Sequence, residues 1–176
     1  MRFSDVSLTR PVDAATLSRE PKDVVDALLD GTDIEVARGG TFVCRSENNC
    51  FLGSLGRMIR DWRVASLAVL DDQTSALVED DPSWGLAVLA PDRVASAISA
   101  IDGLVARAAA DPAALIPYFN HDNDAAEIAA AVVGTGPAYA EGVGPGYLFA
   151  RLADLRRLFE QACTAGMGIG HARYVA

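Results

Sequence analysis

The run His121-Asp122-Asn123-Asp124 sets an imidazole beside two carboxylates in a polar stretch. That donor set suits a divalent cation, and His121, Asp122 and Asp124 are the candidate metal ligands. The stretch lacks the turn glycine and terminal glutamate of an EF-hand loop, and Asp124 is equally placed to cap the helix that follows. Cys50 stands near the start of a helical segment, where a thiol is more easily deprotonated. With His121 as its base it would form the nucleophile–base pair of a hydrolase or transferase. Cys44 and Cys50 have five residues between them, outside the tight knuckle spacing of zinc sites. Cys163, in the last turns of a helix, is expected to serve as a small apolar core residue. Asp71, Asp72, Glu79, Asp80 and Asp81 crowd five carboxylates into eleven residues of polar turns, an expected solvated docking patch for a basic partner. The loop Gly134–Gly146 has glycines ahead of a helix, yet Tyr139 stands where a dinucleotide-binding third glycine belongs. It also follows a helix instead of a strand, and is expected to be a surface loop.

Composition sets the frame for these residues. With 176 residues, 51% of them hydrophobic, the chain can bury a core without disulfide staples, and one globular domain over 1–176 is expected. The longest nearly apolar stretch, Val64 to Leu70, is seven residues, against roughly 20 for a spanning helix. Charges at Arg2, Asp5 and Arg10 leave no apolar signal-peptide core, so no membrane role and a cytoplasmic address are expected. Three cysteines, an odd count, fit the same reducing compartment. A net charge of −9 with a single lysine, Lys22, argues against nucleic acid, whose affinity depends on neutralising phosphates. It favours a basic protein partner.

The elements that must position these residues follow from periodicity and breakers. An imperfect alternation over Arg2 to Leu8 predicts a strand ended by Pro11, then a helical turn over Asp13 to Arg19. Pro21 opens a helix carrying Val24, Val25, Leu28 and Leu29, stopped at Gly31. The runs Ile34 to Ala37 and Thr41 to Arg45 flank Gly39-Gly40 as a hairpin. Asn48 and Asn49 cap a helix with Leu52, Leu55, Met58, Ile59 and Trp62 on one side, and Val64 to Leu70 either continues it or forms a buried strand. Trp84 to Leu89 reads as a strand. Helices follow from Asp92 to Ala110, from Pro112 through Tyr118, over Ala125 to Val133, and over Tyr147 to Ala165 with Gly166 as its stop. Met167 to Val175 closes the chain as a strand. Unequal helical stretches between strands predict an α+β fold, a small mostly antiparallel sheet packed by four to five helices. The expected core includes Val25, Leu28, Trp84, Leu86, Val94, Ile98, Leu152, Leu155 and Phe159.

The segment Leu89-Ala-Pro-Asp-Arg-Val94 enters a long helix, and Tyr147-Leu-Phe-Ala-Arg-Leu-Ala-Asp-Leu-Arg-Arg-Leu-Phe159 precedes Ala162, Gly166 and the final strand. Over the last half of the chain this pattern resembles the YfbM-like family of small bacterial proteins. The resemblance implies an α+β fold and supplies no catalytic residues to carry over. Strong acidity together with no discernible catalytic set makes the functional expectation a non-catalytic acidic protein-binding module with no cofactor, in its sharpest form an immunity-type protein masking a basic partner. The alternatives are a hydrolase or transferase using Cys50, His121 and nearby acids, and a small-ligand or metal-binding protein using the 121–124 loop and the Gly-rich loop.

Overall fold

The computed structural model describes residues 5–30, 42–46, 51–71, 73–119, 124–134 and 144–174. Along the chain these form β1 (Asp5–Val12), α1 (Ala14–Leu17), α2 (Pro21–Leu29), β2 (Phe42–Ser46), α3 (Phe51–Asp61), β3 (Ala76–Val78), β4 (Asp81–Leu89), α4 (Val94–Ala110), α5 (Ala125–Val132), α6 (Pro145–Thr164) and β5 (Gly168–Tyr174). Short 3₁₀ helices fill Ala65–Leu70, Pro91–Arg93 and Pro112–Tyr118.

The strands make one antiparallel sheet in the order β2-β1-β5-β4-β3, so the last strand lies at its centre. The fold is α+β, with an antiparallel sheet as expected, and the described residues hold six α-helices, one of them a single turn. Strand alternation divides the sheet into two packed faces. Ala87, Leu89 and Ile169 point to the larger core, where Leu52, Leu55, Met58, Leu104, Leu152 and Phe159 of α3, α4 and α6 are buried. Ala172, Trp84, Leu86 and Val78 point the other way, against Val24, Val25 and Leu28 of α2. The result is a sheet held between one helical hairpin and a thicker helical layer.

Two glycines of β5 make that second packing possible. A Cβ on Gly168 would lie 2.3 Å from the Leu89 carbonyl oxygen and 2.5 Å from Leu17 Cδ1. On Gly170 it would lie 2.9 Å from Leu28 Cδ2. Only a strand without side chains there lets α1 and α2 close onto it.

Several local outcomes differ from the sequence expectation for physical reasons. Pro11 does not end β1 but sits within it, paired with Ile169; among the described residues β2 reaches only to Phe42 opposite Thr9, and a proline is tolerated in a strand where one side carries no ladder. Val64 to Leu70 is neither helix continuation nor strand. Arg63, at φ 55°, turns the chain out of α3, with Val64 N–H bonded to Ile59 O and Arg63 N–H to Arg60 O. That is a Schellman stop using arginine where glycine is usual. Ala76 to Val78 is a strand within the stretch read as turns. Asp92 does not start α4 but lies inside the Pro91–Arg93 3₁₀ turn, and α4 begins at Val94. Cys163 is exposed, contrary to its expected core role. The buried stripe runs Leu155, Phe159, Ala162, which turns position 163 about 100° away from the core. Of the hairpin expected over 34–45, the first run lies outside the described residues, and the second is β2, paired with β1.

Candidate functional site

The acidic segment is built on the end of α3. Beyond the Arg63 turn, the 3₁₀ helix buries Leu67, Val69 and Leu70 and delivers Asp71 into the protein. Asp71 is not a solvated member of a surface patch. Its side chain is 2% exposed and ion-paired with Arg60, itself 36% exposed. Asp71 Oδ1 also accepts from Gln73 N–H at 3.2 Å, while Oδ2 is buried without a hydrogen-bond partner. Thr74 donates its backbone N–H and its hydroxyl to the Asp71 carbonyl, each at 2.8 Å, which closes the turn into β3. Gly56 of α3 makes room, since a Cβ there would lie 2.9 Å from Asp71 Oδ1. Asp71 is thus the internal anchor of the segment.

The remaining described carboxylates stand outside. Glu79 and Asp80 form the exposed turn between β3 and β4, and Asp81 opens β4 half-buried, its Oδ1 accepting from Ser83 N–H at 3.3 Å. Leu77, at 62% exposure, lies two residues before that turn on the outermost strand. Between Arg63 and Arg93 the sequence has no lysine, arginine or histidine and six carboxylates: Asp71, Asp72, Glu79, Asp80, Asp81 and Asp92. With Asp71 ion-paired to Arg60, the hairpin holds Glu79, Asp80 and Asp81 near one protruding leucine, and none of the three is ion-paired among the described residues. Asp72 lies outside the described residues.

Of the other sequence candidates, Asp124 and Cys44 fall within the described residues. Asp124 is the N-cap of α5 in a complete capping box: its Oδ1 accepts from Glu127 N–H at 2.9 Å, and Glu127 Oε2 accepts from Asp124 N–H at 3.2 Å. Its carboxylate is engaged in that cap. His121, Asp122 and Cys50 lie outside the described residues, and Cys44 stands in β2 with its Cα opposite Ser7. Among the described residues no group of three or more His, Cys, Asp and Glu side chains is arranged to hold a metal ion.

Two polar arrangements were not legible in advance. Thr9 on β1 and His171 on β5 are direct cross-strand partners, both wholly buried, with Thr9 Oγ1 and His171 Nδ1 2.8 Å apart. Alternation from Ile169 was the available signal, since it puts residue 171 on the same inward face. The second ties the Pro112–Tyr118 turn to the bundle. The Tyr118 hydroxyl donates to Asp61 Oδ2 at 2.8 Å, and its carbonyl accepts from Ser54 Oγ at 2.9 Å and Arg57 Nη2 at 3.1 Å. Trp62 meets the Tyr118 ring edge-on at 6.1 Å between centroids, and the Arg107 guanidinium lies 4.1 Å from the centre of the Trp62 ring. Burial, and then the bond to the Asp61 carboxylate, push the Tyr118 hydroxyl above its ordinary pKa.

Both arrangements join distant segments by partnered groups, as structural polar clusters do. Among the described residues, no helix is long and apolar enough to cross a membrane. The chain matches no protein-family model, no curated protein and no solved structure.

Proposed function

We propose that this chain is a non-catalytic protein-binding module whose β3–β4 hairpin engages a basic protein partner, in the manner of a cytoplasmic immunity-type protein. The observation that carries the reading is Leu77, 62% exposed beside the exposed carboxylates of Glu79 and Asp80. Charge of one sign around an apolar residue gives a partner both steering and an anchor. Completing the burial of Leu77 contributes about 1–2 kcal/mol. Each rim carboxylate meeting a guanidinium adds ~0.2–1 kcal/mol and acts chiefly on the association rate. The contact is by side chains. β3 has three residues and a register shift between Leu77 and Val78, features that discourage addition of another strand. Kinship of the last half with the YfbM-like family belongs to the same proposal, supported by the succession of β4, the Pro91 helix start, α6, Gly166 and β5.

The test is titration of the protein against a panel of purified basic nucleases by calorimetry at low and high salt. The expected result is a complex that weakens roughly tenfold or more as salt rises from about 0.05 to 0.3 M, because rim charges are screened. It should associate more slowly with the Glu79→Lys/Asp80→Lys variant and dissociate faster with Leu77→Ser. A complex indifferent to salt and to all three substitutions, or no complex across the panel, overturns the proposal.

A further inference from the structure

We draw no further inference here: the strongest candidate, the Thr9–His171 side-chain pair between β1 and β5, is wholly buried on both strands, and among the described residues nothing shows a path or a ligand that would reach it.

Discussion

Replacing Arg60 by methionine keeps most of the aliphatic stem and the helix propensity of α3 while removing the partner of a carboxylate that is 2% exposed. Asp71 would retain only the Gln73 N–H at 3.2 Å, with Oδ2 already unpartnered. Breaking a fully buried ion pair costs about 3–5 kcal/mol. Here the guanidinium is 36% exposed, so solvent already screens part of the attraction. The expected loss is therefore roughly 2–3 kcal/mol. Asp71→Asn in the Arg60→Met background removes the stranded charge and leaves only an under-bonded amide, so about 1–2 kcal/mol should return. Urea unfolding of the three proteins, followed by far-UV circular dichroism and tryptophan fluorescence, reads both quantities. With a slope of ~2 kcal/mol/M, Arg60→Met lowers the midpoint by about 1 M or more. A loss below about 0.5 kcal/mol, the value of an ordinary surface pair, would refute the anchoring role of Asp71. So would an Asp71→Asn change that restores nothing.

The remaining expectations concern other joints of the fold. Gly168→Ala should cost more than about 3 kcal/mol or abolish folding, since its methyl would strike the rigid Leu89 carbonyl at 2.3 Å. Gly170→Ala meets only the movable tip of Leu28 and should cost roughly 1–3 kcal/mol, so equal midpoints for the two variants would contradict the packing argument. Arg63→Gly should stabilise the protein by about 0.5–1 kcal/mol by relieving a left-handed arginine, and thermal melting that shows a loss would point to a contact of that side chain. The raised pKa of Tyr118 means that its contribution is complete below the ordinary tyrosine value near 10 and is lost as pH climbs through the higher folded value. Tyr118→Phe should therefore lower stability by about 1 kcal/mol at neutral pH and flatten its fall above pH ~10. An unchanged alkaline slope would mean that the hydroxyl does not titrate with folding.

What the sequence disclosed were features written in local periodicity and punctuation. The α6 stripe of Leu148, Leu152, Leu155 and Phe159, the Pro21 start of α2, the Gly166 stop and the Asp124 cap each depend on neighbours within one or two turns. The antiparallel α+β class followed from their order. The surroundings of individual polar residues were hidden where they depended on residues far along the chain. Asp71 reads as one of several turn carboxylates until α3 returns Arg60 and the gap at Gly56 beside it. His171 is a solitary histidine until Thr9, 162 positions away, becomes its cross-strand neighbour. Cys163 was misplaced by a single position on a helix, which is enough to turn a side chain from core to water.

The central position of β5 has a consequence for how the protein assembles. Among the described residues, the ribbon of β1 and β2 and the ribbon of β3 and β4 share no backbone bond with each other; each is joined to the rest of the sheet through residues 168–174. Compared with closing the Leu77–Gly85 contact, bringing His171 to Thr9 carries an extra loop entropy of roughly 2.5–3 kcal/mol before any contact compensates it. Until that keystone arrives, both ribbons present an open inner border to solvent and to other chains. The sheet is therefore completed late, and the moment of greatest exposure to mispairing falls just before its last strand slides into place.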